Sequence, residues 1–180
     1  MSIKKRLLIV ILFGMALYGA LWIGYNANQS SVTQLRPAVA TPSVAVTYPA
    51  ASELFTLVNT ERVQLGLPTL VEDTRLNASA TAKCADMVTK NYWSHNDPAG
   101  LEPWHFLVDQ GISYKLAAEN LAYGQQTSDQ VVREWMASPG HRNNIVNPNY
   151  THVGYAVCHS PNFVAHGAQD IIVQHFDLPL

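Results

Sequence analysis

Apolar positions recur along this chain with three different periods, and each period predicts a different element. From Leu7 to Tyr25 a largely apolar run carries no charge. As a helix its 19 residues would reach about 28 Å, close to the hydrocarbon thickness of a bilayer. Residues 26–50 then lose all periodicity; they are mostly Ser, Thr, Ala, Val, Pro and Gln, with Pro37, Pro42 and Pro49 opposing a helix. That stretch reads as a semi-extended linker. Helical spacing begins near Ser52, an expected N-cap, with Leu54, Leu57, Val58 and Leu65 on one face and Gly66 and Pro68 as the stop. A second helix follows Asp73 as cap, with Leu76, Ala80, Cys84, Met87 and Val88 as its inner stripe. Pro103 opens a short third helix bearing Trp104 and Leu107 and ending near Gly111. A fourth starts at Thr127 or Ser128, buries Val131, Val132, Trp135 and Met136, and ends at Pro139-Gly140.

Beyond residue 150 the period falls to two. Val153, Tyr155 and Val157 alternate with Gly154, Ala156 and Cys158; Ile171, Val173 and His175 alternate with Ile172, Gln174 and Phe176. Both segments read as strands of one hairpin closed by the loop from His159 to Gln169. Four helices and a small antiparallel sheet predict an α+β fold. The chain thus divides into a leader over 1–25, a linker over 26–50 and one domain over 51–180.

Charge changes this picture at both ends. Lys4, Lys5 and Arg6 precede the apolar run, so the positive-inside rule leaves the N-terminus in the cytoplasm and exports the rest. The run exceeds the usual apolar core of a signal peptide, and Leu21, Trp22 and Ile23 stand where small residues would mark cleavage. The expectation is an uncleaved, single-pass anchor in the cell membrane; secretion after cleavage is the alternative. No Cys lies near the run, which excludes a lipid-modified cysteine. All 13 Asp and Glu fall from Glu53 onward, against 7 Lys and Arg, giving that part 7 − 13 = −6. Such a balance argues against nucleic acid, whose phosphates need cationic partners. The two Cys, Cys84 and Cys158, lie 74 residues apart. An exported protein favours a disulfide, whereas two buried thiols would behave as small hydrophobes. Both readings remain open at this level.

Candidate chemistry concentrates in three segments: Asn91-Tyr-Trp-Ser-His-Asn-Asp-Pro-Ala-Gly100, Ala117-Ala-Glu-Asn-Leu-Ala-Tyr-Gly124 and Glu134-Trp-Met-Ala-Ser-Pro-Gly-His-Arg-Asn-Asn-Ile145. They supply His95 in a turn-forming stretch, Glu119 among small apolar residues, and His141 after Pro139-Gly140. Each has a plainer reading: a solvated imidazole, a carboxylate paired with an arginine, and a helix-end imidazole favoured by the dipole. In this order and spacing the segments resemble the CAP superfamily (cysteine-rich secretory proteins, antigen 5 and pathogenesis-related 1; also SCP-like), in particular its bacterial branch. The resemblance covers about Glu53 to Phe176.

The resemblance implies an α-β-α sandwich and a cleft containing His95, Glu119 and His141. Members that bind a divalent metal such as zinc hold it mainly through two imidazoles, here His95 and His141. Glu119 would orient an imidazole or a water. Many eukaryotic members carry a second Glu three residues after the equivalent of Trp135, where this chain has Ser138. Glu134 would project about 100° away from that direction on a helix, so the expected binding set is His95, Glu119, Ser138 and His141. His152 is expected to be exposed, and His105, His159, His166 and His175 have no helpful spacing. Trp93, Trp104 and Trp135 read first as core. Asn143, Asn144 and Asn147 could meet a polar ligand or simply form a turn. No HExxH, GxSxG, P-loop or GxGxxG motif is present.

Three functions fit. The first is a membrane-tethered, extracytoplasmic binding module for a lipid-like, glycan or envelope-protein ligand. The second is a metal-dependent, peptidase-like hydrolase with Glu119 as candidate catalytic base. The third is a structural envelope protein whose polar cluster only stabilises the fold.

Overall fold

The computed structural model describes residues 48–180. The expected anchor and nearly all of the expected linker lie outside them. Among the described residues no helix is long and apolar enough to cross a membrane. Five helices and four strands follow in the order α1 (Ala51–Gln64), β1 (Val71–Glu72), α2 (Thr74–Lys90), α3 (Trp104–Asp109), β2 (Tyr114–Tyr123), α4 (Ser128–Ala137), α5 (Pro139–Ile145), β3 (His152–Ser160) and β4 (Gln169–Pro179).

The strands form one sheet in the order β1-β3-β4-β2. β3 and β4 make the expected antiparallel hairpin, and β2 pairs antiparallel with the other side of β4. The short β1 runs parallel to β3, so the sheet is mixed rather than purely antiparallel. Its alternating faces carry two separate cores. Ala118, Ala122, Ile172 and Phe176 pack with Leu54 and Val58 of α1, Val131, Val132 and Trp135 of α4, and Ile145 of α5. Leu121, Ile171 and Val173 pack with Ala80, Cys84 and Met87 of α2. Helices therefore cover both faces, giving the three layers of an α-β-α sandwich.

The departures from the sequence reading have local causes. The fourth helix does stop before Pro139-Gly140, with Ser138 extended, but Pro139 then starts a further helix, α5, as its first residue, where a missing N–H costs nothing. That makes five helices where about four were expected. β2 went unread because Ala118–Ala122 are all buried, which erases the period-two signal. In α1 the buried row is Leu54, Val58 and Arg62, while Leu65 is exposed. The cap expected at Asp73 does accept a backbone N–H, from Arg75, and Thr127 caps α4 by accepting from Gln130; Ser52 instead lies inside α1, whose N-cap is Ala50.

Two contacts fix α2 on the sheet. Cys84 and Cys158 form a disulfide with Cα atoms 6.3 Å apart. At Gly154 a Cβ would stand 2.3 Å from the Leu76 carbonyl carbon and 2.4 Å from the Asn77 nitrogen, so only glycine lets β3 approach the helix this closely.

Candidate functional site

Adjacent residues of a strand point to opposite faces, and the Glu119-Asn120 dipeptide of β2 uses both. Register places Glu119 opposite His175 and Asn120 opposite Gln174. On the α2 face, Glu119 Oε2 lies 3.0 Å from His175 Nε2, and His175 Nδ1 lies 2.8 Å from Ser79 Oγ. Glu119 Oε1 lies 2.6 Å from His95 Nδ1. With Ser79 donating to Nδ1, the His175 ring donates through Nε2, and His95 donates through Nδ1. Both carboxylate oxygens are then occupied, and His95 Nε2 has no partner among the described residues. On the opposite face, Asn120 Nδ2 donates to Gln174 Oε1 at 2.9 Å and Gln174 Nε2 to Tyr155 Oη at 2.9 Å. Asn120 also donates to the His141 carbonyl at 3.2 Å and accepts from Asn144 Nδ2 at 2.8 Å, which ties α5 to the strand.

Lys83 holds the loop that carries His95. Its buried Nζ donates to the carbonyls of Ser94 at 2.8 Å and His95 at 2.7 Å, and to Tyr92 Oη at 3.1 Å. Desolvation lowers its pKa, opposed by the charges of Glu119, Asp86 and Asp97. Ser79 and Lys83 are one helical turn apart, so a single face of α2 supports both ends of the chain Ser79–His175–Glu119–His95.

β2 is an edge strand, yet three of its carbonyls are covered by side chains. Tyr150 Oη donates to Ala117 O at 3.2 Å, Asn144 Nδ2 to Glu119 O at 3.2 Å, and Trp135 Nε1 to Leu121 O at 3.1 Å. The cleft runs along this covered edge as two cavities. The first, about 330 Å³, is lined by His95, Glu102, Trp104, Glu119, Asn144 and Tyr150 among others. The second, about 240 Å³, includes Trp93, Tyr123, Gln125, Glu134, Ser138 and His141.

The expected set is therefore distributed: His95 and Glu119 are bonded in the first cavity, while His141 and Ser138 line the second. Burial, with the nearby His95, pushes the His141 pKa down, which favours the neutral, ligating imidazole. Glu134 lines that same second cavity, although helical geometry had argued against it. Trp135 is core, as its spacing suggested. His152 is half-buried, with Nδ1 3.5 Å from the buried Asp177. His175 was passed over because its relation to Glu119 exists only through strand register. No single-sequence signal reported it once β2 was unread. Lys83 and Ser79 fall on the buried stripe of α2, where a polar residue at i or i+4 is the one available hint.

Glu119 also makes an acid-sensitive contribution to folding. Burial raises its pKa, but hydrogen bonds from His175 and His95 and the charge of Lys83 outweigh burial and hold the pKa below the ordinary 4.5. A carboxylate with a depressed folded pKa stabilises fully above its unfolded pKa and loses that stabilisation as pH falls through the folded value. Glu119→Gln is expected to cost about 2 kcal/mol at pH 7, chiefly through the buried His175 contact, because the His95 contact is half in solvent. Urea denaturation of both proteins should show the gap closing as pH falls below the ordinary 4.5 and through the depressed folded value. A gap independent of pH would contradict an ionised Glu119.

A metal fits this donor set in part. His95 offers an unengaged Nε2 on a ring oriented by a buried carboxylate, and His141 offers a second imidazole. Among the described residues no group of three or more His, Cys, Asp and Glu side chains forms a cation cage. Two imidazoles would leave the remaining positions to water or a ligand.

A sequence model of the cysteine-rich secretory protein (CAP) family matches residues 55–176. The chain is 50% identical over 98 residues to the uncharacterized protein YkwD of Bacillus subtilis, spanning 54% of this chain and 38% of that protein. It is 31% identical over 105 residues to the uncharacterized membrane protein YlbC of the same organism, spanning 58% and 30%. It thus covers well under half the length of either relative. An extracellular SCP-domain protein of Bacillus anthracis superposes with a TM-score of 0.60 at 27% identity, over 71% of this chain and 39% of that one. An outer surface protein of Borrelia burgdorferi shares the fold at a TM-score of 0.64, over 72% and 92%, with 22% identity. With most of its folded domain inside the family match and the same three-layer fold, this chain belongs to the cysteine-rich secretory protein (CAP) family.

Proposed function

We propose that the chain is a membrane-tethered, extracytoplasmic CAP domain that binds a small ligand in the cleft along β2. The observation that carries the reading is the buried chain Ser79–His175–Glu119, which fixes His95 while leaving its Nε2 without a partner among the described residues. A fixed imidazole at a cavity wall is preorganised for binding, since little side-chain entropy remains to be lost. The tether rests on Lys4, Lys5 and Arg6 before the apolar run 7–25. Relatives described as membrane, extracellular or outer-surface proteins agree with it.

His95 and His141 would hold a divalent cation such as zinc, with Glu119 orienting His95 from behind. The cation would supply positive charge and open positions for a ligand oxygen. Calorimetric titration of the full-length chain with zinc tests this. Saturable binding weakened at least tenfold in His95→Ala/His141→Ala is the expected result. Equal zinc binding by the double variant, or none by the wild type, would remove the metal from the proposal.

A hydrolase is the second reading, favoured by the Glu119–His95 pair. A carboxylate that fixes an imidazole tautomer leaves the far nitrogen able to take a proton. In that reading His95 is the base and Glu119 its positioning residue, because both Glu119 oxygens already accept hydrogen bonds. Peptide turnover that survives His95→Ala would rule out His95 as the base, and no turnover by the wild type would rule out the hydrolase.

A further inference from the structure

We infer that the second cavity, beside the His95 cleft, is a subsite for one neutral sugar ring. The inference builds on the binding-module reading and names a ligand class for it. The cavity is about 240 Å³, and its wall combines an aromatic face with a buried hydrogen-bond acceptor that has no donor among the described residues.

The aromatic face is built and braced. Trp93 is 37% exposed, unusual for a large ring next to a core, and meets Tyr123 edge-on at 4.7 Å. Phe163 supports both, at 6.1 Å from Trp93 and 5.5 Å from Tyr123. Phe163 is delivered by a loop in which Val164 and Ala165 have φ of 42° and 66°. A β-branched residue in the left-handed region is strained, and such strain persists only where surrounding contacts enforce it. Here the Val164 N–H donates to Asn91 Oδ1 at 2.8 Å, and Asn91, itself at φ 50°, ends α2 two residues before Trp93. The strained loop and the Trp93 loop are thereby locked together beneath the exposed ring.

The acceptors lie on the α4 side of the same cavity. Gln125 Nε2 donates to Glu134 Oε2 at 2.6 Å, which fixes the orientation of the amide. Gln125 Oε1 is buried and has no partner among the described residues. An acceptor buried without a donor is costly, and a bound ligand can supply one. Glu134 adds a carboxylate whose oxygens already accept from Gln125 and, at 2.8 Å, from Gln130 Nε2, so it contributes negative charge, and Ser138 and His141 add a hydroxyl and an imidazole.

Few ligand classes answer both features. An alkyl chain fits the rings but gives Gln125 Oε1 no donor. An anion meets repulsion from Glu134, and from Glu102 and Glu119 in the neighbouring cavity. A quaternary ammonium suits the rings and the carboxylate but carries no N–H for Gln125. A neutral sugar offers hydroxyl donors on its rim and a C–H face whose partial positive charge complements the negative face of an indole.

The test is calorimetric titration of the full-length chain, in a detergent without a sugar headgroup, with neutral oligosaccharides of glucose, mannose, galactose and N-acetylglucosamine. At least one should bind saturably, and both Trp93→Ala and Gln125→Leu should weaken it at least tenfold. Gln125→Leu keeps the test decisive if Trp93→Ala fails to fold. No binding at millimolar sugar, or binding unchanged in Gln125→Leu, would overturn the subsite. Zinc titrations run alongside separate the two proposals: retained zinc binding without sugar binding removes only the subsite, and sugar binding without zinc binding removes only the metal.

Discussion

Arg62→Met is expected to destabilise the domain by about 3–5 kcal/mol, the largest single-residue effect foreseen. Arg62 is fully buried on α1, in the row begun by Leu54 and Val58. Its guanidinium donates to Pro68 O at 2.9 Å, Ile145 O at 2.7 Å, Asn147 O at 2.9 Å and Tyr150 O at 3.4 Å. Burial lowers its pKa, and no ion pair to a carboxylate accompanies it among the described residues. Methionine would fill most of the aliphatic volume but leave these carbonyls without their donor, and each buried orphan costs about 1–3 kcal/mol before water and local relaxation recover part. Arg62→Lys should be nearly as costly, because one ammonium cannot span the positions reached by a planar fork. Urea denaturation monitored by tryptophan fluorescence measures the loss; a change below about 1 kcal/mol would show that the segment 145–150 is held by other contacts.

The second large effect is redox-dependent. The Cys84–Cys158 disulfide closes a loop of 74 residues. In the chain-entropy account a loop of that length removes about 4 kcal/mol of freedom from the unfolded ensemble. Cys84→Ala/Cys158→Ala, or reduction by dithiothreitol, should therefore lower stability by about 3–4 kcal/mol. Cys84 immediately follows Lys83, which holds the Ser94 and His95 carbonyls. Loss of the bond should thus loosen the His95 loop as well, read as faster amide exchange over residues 92–97. Equal stability of the oxidised and reduced proteins would place the restraint on α2 in packing alone.

How much of this could be read from the sequence differs from residue to residue. The stripe Leu76, Ala80, Cys84 and Met87 gave α2 and its inward face, because an amphipathic helix writes its burial at a fixed spacing. The β3–β4 hairpin was legible for the same reason at period two. β2 was not, because a strand covered on both faces has no alternation to show. The site inherited that blindness. His95, Glu119 and His141 stood out through their sequence surroundings, but the partner that completes Glu119 is His175, 56 residues away. It is brought there by a register that no local pattern encodes. Arg62 shows the converse case: a charged residue in a core row looks like the end of the apolar stripe until the carbonyls it collects are seen.

The covered edge of β2 also limits how the cleft can recognise anything. An extended peptide often binds by joining a sheet, its backbone pairing with a free strand and its affinity arising largely independently of sequence. Tyr150, Asn144 and Trp135 occupy the carbonyls of Ala117, Glu119 and Leu121 that such a guest would need. A visitor to this groove therefore meets side chains instead of a backbone template. Recognition must be chemically selective, and the same three residues that build the wall keep a second copy of the chain from zipping onto it.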